Sequence, residues 1–158
     1  MTVRAAKFTD IPRLVELVKQ AHARSRYTHG IEVDIEHTKQ WLMGCIQRHD
    51  GKGEGATFVL VSVDGDMIEG FIVGLAARIQ EVLDKLYVTD WMFYTSPVAP
   101  ARDALTMLRM VTDWGTDNPK VAEVTFGATD VIGDYAPTTV LYRRIGLEQR
   151  GVIYGGWT

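Results

Sequence analysis

A carboxylate set among apolar and aromatic neighbours is the first residue here whose placement could do chemistry. Asp90 lies within Val88-Thr89-Asp90-Trp91-Met92-Phe93, whose β-branched and aromatic composition reads as a strand. Burial there would raise its pKa toward that of a useful general base. Its structural alternative is a strand carboxylate paired with Arg or Lys, or facing water. His22, His29, His37 and His49 show no HxxxH or HExxH spacing, so no metal site is expected. Cys45 shares a helical stripe with Trp41 and Leu42 and reads as a buried structural thiol. The glycine-rich run Gly51-Lys52-Gly53-Glu54-Gly55 follows a helix and enters a strand, the reverse of the order in a phosphate-cradling loop, and reads as a plain connection.

The elements that must position these residues follow from periodicity. Val3 to Phe8 begins with a short strand-like segment. Thr9 and Asp10 offer N-cap oxygens, Pro12 suits a first helical turn, and Ile11, Leu14, Val15, Val18 and Ala21 recur at three and four residues. Asp34 would cap a second helix whose inner face is Ile35, Thr38, Trp41, Leu42, Cys45 and Ile46. Thr57 to Val63 and Ile68 to Ile79 are strands joined by an Asp64-Gly65 hairpin signal. Leu86 to Thr95 is a fourth strand, followed by a turn at Ser96 to Pro100 and a helix carrying Ala104, Leu105, Leu108 and Val111, which Gly115 and Pro119 would end. Val121 to Phe126, reached through that helix, should lie parallel to the fourth strand by a right-handed crossover. Asp134 and Pro137 open a last helix, Gly146 suits its C′ position, and Val152 to Trp157 reads as a terminal strand. The order β-α-α-β-β-β-α-β-α-β predicts an α/β mixed sheet with helices on its faces, in a single domain over 1–158.

Composition narrows the function classes. A chain of 158 residues, 46% hydrophobic and 23% charged, can bury a core without staples. Lys and Arg number 17 against 20 Asp and Glu, a net charge of −3, which supplies no basic field for nucleic acid. One cysteine makes no intramolecular disulfide. No apolar run approaches the roughly 20 residues of a membrane span, and Met1 to Phe8 is too short and polar for a signal peptide. A soluble, cytoplasmic protein is expected.

Leu141-Tyr142-Arg143-Arg144-Ile145-Gly146-Leu147 resembles the Leu-Tyr-x-x-x-Gly-Phe signature that closes the last helix of the GNAT superfamily of acyl-CoA-dependent N-acyltransferases. Val3-Arg4-Ala5-Ala6 with Asp10-Ile11-Pro12 is similar to that family's opening, and the Asp64-Gly65 hairpin falls where its second and third strands join. The resemblance covers nearly the whole chain. It implies a mostly antiparallel sheet whose parallel fourth and fifth strands, here Leu86 to Thr95 and Val121 to Phe126, splay apart to admit acetyl-CoA or another acyl-CoA. Main-chain groups of Phe93, Tyr94 and Thr95 would pair with the pantetheine arm as with a missing strand. Ala99, Ala101, Arg102, Asp103 and Ala104 would surround the diphosphate.

On that resemblance Tyr142 would protonate the departing thiolate, a transfer from a phenol near pKa 10 to a thiol near about 8.5. Asp90 would take the proton of the attacking amine. Tyr27 and His29, between the first two helices, and Trp91, at the strand end, would meet the acceptor. The family's Arg/Gln-x-x-Gly-x-Gly/Ala loop is altered: Val98, Ala101 and Asp103 stand at its three defining positions, and Tyr135 stands where its last helix often has Asn. Pro100 also lacks an N–H, while Arg102 would serve as a phosphate clamp. The implied activity is acyl transfer, most simply acetyl transfer, to a small-molecule or protein amine in a ternary complex. The alternative that the altered loop raises is a catalytically silent binding or assembly module. A homodimer is left open.

Overall fold

The computed structural model describes residues 2–158. Five strands form one sheet in the order β1 (Thr2–Ala5), β2 (Thr57–Asp64), β3 (Met67–Arg78), β4 (Leu86–Thr95) and β5 (Val121–Val124). Each of the first four is antiparallel to its neighbour, and β4 and β5 are parallel. β2 and β3 meet at Asp64 opposite Met67, with Gly65 at φ 58° in the two-residue turn between them. That left-handed conformation is what a tight hairpin asks of glycine.

Alternation along the strands divides the apolar residues between two cores. Val59, Val61, Phe71, Val73 and Tyr94 face α1 (Ile11–Ala23) and α2 (Ile35–Gln47), meeting Leu14, Leu17, Leu42 and Cys45. Leu60, Ile72, Ala76 and Val88 face α3 (Ala101–Thr116) and α4 (Ala136–Arg144), meeting Met107, Leu108, Val111, Trp114 and Tyr142. Each fully buried aliphatic side chain contributes about 1.5–3 kcal/mol of transfer free energy. Helices on both faces are therefore what a sheet with two apolar faces requires.

Local signals act much as their chemistry dictates, with instructive departures. Asp34 caps α2 by accepting from His37 N at 2.9 Å. Asp134 accepts from Ala136 N at 2.9 Å, Pro137 lies in the first turn of α4, and Gly146 (φ 91°) ends it as Leu147 N donates to Tyr142 O. Asp10 does not cap α1. Its carboxylate accepts from Lys7 N and takes Arg4 in a two-pronged ion pair at 2.7 and 3.0 Å, which turns the chain at Lys7 as the short β1 ends at Ala5.

Gly115 does not end α3. The helix runs to Thr116 with Gly115 buried inside it, where a Cβ would lie 3.0 Å from Val124 Cγ2 and 3.1 Å from Val88 Cγ2. The bare backbone lets α3 settle where β4 and β5 are still paired. β5 stops at Val124 instead of Phe126, and the expected terminal strand is absent: Val152 to Trp157 is irregular and exposed, with Tyr154 91% accessible. Its composition favours a strand, but it pairs with no neighbour, and Gly151, Gly155 and Gly156 break it up. No helix among the described residues is long and apolar enough to cross a membrane.

Candidate functional site

The site begins where β4 and β5 part. Their ladder runs from Leu86 opposite Val121 to Val88 opposite Val124, and Thr125 N still donates to Val88 O at 2.8 Å. Beyond that point β5 has ended, while β4 continues for seven residues. A bulge at Trp91, where the β3 register steps from Val73–Met92 to Gly74–Asp90, shifts which main-chain groups face outward. Ser96 N donates to Glu69 O on the β3 side. Counting back by twos, Tyr94 and Met92 also face β3, whereas Thr95 and Phe93 face the vacated side. Before the bulge, Val88 and Asp90 do so. Of the three expected main-chain positions, Phe93 and Thr95 present their groups to the opening. Tyr94 does not, its main chain facing Phe71, its ring 5% exposed and its hydroxyl 3.2 Å from Arg24 Nη1.

Asp90 bridges the opening with its side chain. Oδ1 accepts from Gly127 N at 2.8 Å, and Tyr142 Oη lies 2.6 Å from Oδ2 and 2.7 Å from the Gly127 carbonyl oxygen. Tyr142 reaches this point from the last turn of α4, and the residue, 8% exposed, packs its ring on Phe126 at 5.6 Å. Burial pushes the Asp90 carboxyl above the ordinary carboxylate range, against the opposing hydrogen bonds of Tyr142 and Gly127. Burial first, and the Asp90 carboxylate second, raise Tyr142 far above an ordinary phenol. The structure thus brings together a carboxyl and a phenol that are 52 residues apart. Gly127, which the sequence did not single out, joins them through main-chain atoms that carry no side-chain signature.

The turn after β4 leads to α3, whose N-cap is Pro100 with no side-chain cap. Ala99 N donates to Ser96 O and Asp103 N to Pro100 O, so the open donors of the first turn are the N–H groups of Ala101 and Arg102. Asp103 departs from the expected diphosphate set. Its carboxylate is buried and accepts from Ser62 Oγ at 2.7 Å, facing away from any ligand at the helix end. Arg102 is exposed with Nε 3.7 Å from Asp103 Oδ1, and Ala104 is buried against the sheet.

The three residues expected to meet an acceptor are not gathered into one contact. Trp91 stacks edge-on against Trp41 at 5.2 Å, where Val18, His37, Thr38 and Met92 complete a cleft of about 340 Å³. Tyr27 instead meets Trp157 of the C-terminal segment at 5.8 Å, beside Arg26, and His29 is exposed in the turn between α1 and α2. Trp41, on the inner face of α2, packs against the core and also lines this cleft, and Trp157 belongs to the irregular C-terminal segment. Among the described residues no cluster of His, Cys, Asp and Glu could hold a metal ion.

No protein-family model matches the chain, and no curated protein matches it by sequence. Solved structures do match. A ribosomal-protein-alanine N-acetyltransferase from Brucella melitensis superposes with a TM-score of 0.71 at 20% identity, over 96% of this chain and 86% of that one. Glucosamine-6-phosphate N-acetyltransferase from Arabidopsis thaliana gives 0.70 at 10% identity, over 99% and 97%. An aminoglycoside acetyltransferase from an uncultured soil metagenomic sample, in complex with sisomicin, gives 0.67 at 13% identity, over 99% and 95%. From β1 to the C-terminal segment, this chain has the fold of the GNAT acetyltransferases.

Proposed function

We propose that this protein is an acyl-CoA-dependent N-acyltransferase, most simply an acetyltransferase, acting on an amine acceptor in a ternary complex. The observation that carries the reading is the Asp90–Tyr142 pair at the mouth of an unpaired β4 edge. The residues present fit the pantetheine arm: Phe93 and Thr95 offer strand-type donors and acceptors to the vacated side, and the Ala101 and Arg102 N–H groups open the α3 end to negative oxygens. The coenzyme would supply an acyl thioester. Main-chain N–H groups at the bulge would polarise its carbonyl, Asp90 would take up the amine proton, and Tyr142 would give one to sulfur.

The acceptor is a small-molecule or protein amine. The names of the structural neighbours span an aminoglycoside, glucosamine 6-phosphate and a ribosomal-protein alanine, so the fold alone does not select among them. The Trp41–Trp91 cleft supports an acceptor with an apolar or cationic face, which indole rings hold well. Thiol release from acetyl-CoA, measured against a panel of amines, tests the activity. Acetyl-CoA at a hundredfold excess over Kd should add about 2.7 kcal/mol, a rise of roughly 5–10 °C in Tm. No rise at millimolar coenzyme overturns the reading.

A second reading is a catalytically silent binding or assembly module of the same fold, favoured by the α3 end, where Pro100 lacks a donor and Asp103 is turned inward. On that reading Tyr142→Phe and Asp90→Asn match the parent in every transfer assay.

A further inference from the structure

Asp90, Tyr142 and Gly127 make a closed set of contacts with more acceptors than one phenol proton can serve. Tyr142 Oη is 2.6 Å from Asp90 Oδ2 and 2.7 Å from the Gly127 carbonyl oxygen, both full hydrogen-bond lengths for O–H···O. A phenol carries a single proton. If Asp90 were ionised, one of those contacts would press lone pair against lone pair with nothing between them. If Asp90 is protonated, every contact is made: Asp90 Oδ2–H donates to Tyr142 Oη, Tyr142 Oη–H donates to Gly127 O, and Gly127 N–H donates to Asp90 Oδ1 at 2.8 Å.

We infer that Asp90 is held as a neutral carboxylic acid at neutral pH and forms, with Tyr142, one two-oxygen proton relay instead of a separate base and acid. The groups facing the carboxyl carry no charge, and their hydrogen bonds to it oppose burial without outweighing it. They are Tyr142 from α4, the Gly127 main chain after β5, and the Thr89 hydroxyl beside it on β4. Arg143 and Arg144 on α4 and Arg109 on α3 are exposed, and no ion pair to Asp90 exists among the described residues. Burial without a cation favours the uncharged acid.

The chemical use of the relay rests on the acyl-transfer reading. As the amide C–N bond forms and the acyl C–S bond breaks, Tyr142 gives its proton to sulfur, and the Asp90 proton passes to the Tyr142 oxygen. The surplus proton on the new amide nitrogen then moves to the Asp90 carboxylate, directly or through water, and the protein is back where it began. Asp90 is no base until sulfur has been protonated, so the acceptor must bind as the neutral amine. Rate should therefore follow the acceptor's own ionisation, and weakly basic amines should be favoured at neutral pH.

The test is carbon-13 NMR of the full-length labelled protein, following the Asp90 carboxyl resonance from pH 4 to 9 and assigning it by its loss in Asp90→Asn. The expected result is a neutral-acid shift through pH 7. Asp90→Asn should also melt within about 2 °C of the parent, because the amide can donate to Tyr142 Oη from the same place. If that variant fails to fold, Tyr142→Phe supplies the assignment by moving the same resonance. A carboxylate shift at pH 7 overturns the proposal. Acetyl-CoA binding on the same samples separates the two claims. A neutral Asp90 without coenzyme binding upholds the proton's place and removes the transferase. An ionised Asp90 with binding does the reverse.

Discussion

Removing one oxygen atom, by Tyr142→Phe, separates the structural from the chemical weight of the site. The ring stays on Phe126, so no cavity opens. What is lost is the link between Asp90 Oδ2 and Gly127 O. Gly127 is exposed and its carbonyl can turn to water, whereas Asp90 Oδ2 faces the ring of a side chain that is 8% accessible. A polar group left without its partner costs about 1–3 kcal/mol when fully buried, an upper bound for the half-buried Asp90. For a chain of this size that is roughly 2–12 °C in Tm, read by thermal unfolding in the absence of ligand. Loss of a general acid lowers kcat by about 10²–10⁴. Coenzyme affinity should hold, because Phe93, Thr95 and the α3 end are untouched. A Phe variant that turns over at the parent's rate at every pH refutes the acid role. One that melts with the parent shows that the contacts of this hydroxyl add nothing to stability.

Other outcomes follow from the same packing and charges. Gly115→Ala should lower Tm: helix propensity gains about 1 kcal/mol, but the new methyl meets Val124 and Val88 near 3.0 Å, and overpacking costs about 1–3 kcal/mol. An unchanged or raised Tm would mean that α3 can lift off the β4–β5 junction freely. His49 Nδ1 accepts from Val59 N at 2.9 Å, and burial, against Asp50, holds its pKa below the usual 6.5. Its stabilisation is full above about pH 6.5 and is lost as pH falls through the lowered native pKa, so denaturant midpoints should drop across that window in the parent and less in His49→Gln. Burial also opposes the Arg4 and Lys7 contacts of Asp10, but those contacts win and hold its carboxyl below the ordinary range. Asp10→Asn should lose stability above pH 4 and little below the native pKa, as judged by urea unfolding. Cys45 is fully buried with its thiol pushed up to about 11, so a thiol reagent should label it only as the protein unfolds, and prompt labelling of the native chain would contradict the core placement.

Much of the scaffold is legible because it is written in local pattern. The three- and four-residue spacing of Ile11, Leu14 and Val15, the cap at Asp34 and the Gly65 turn each act over a few neighbouring residues, and the structure shows each. Departures occur where a partner decides. Val152-Ile153-Tyr154 has strand composition, but a strand exists only when a neighbour accepts its hydrogen bonds. Gly115 looks like a helix stop, and its use as a close-approach point depends on Val88 and Val124, residues from two other elements. The bulge at Trp91 changes the parity of β4 and turns Tyr94 away from the opening, and nothing in the local sequence marks it. Asp90 and Tyr142 stand out separately by type and setting. Their contact with each other and with Gly127 depends on α4 returning to the sheet, which only the fold supplies.

Amide hydrogen exchange at single-residue resolution, with and without acetyl-CoA, reads the open edge of β4 itself. If the coenzyme arm takes the place of a missing strand on β4, the Phe93 and Thr95 amides should slow markedly on addition of acetyl-CoA. Tyr94, already facing β3, should change little. Equal exchange at Phe93 and Thr95 with saturating acetyl-CoA would show that this edge does not receive the thioester arm.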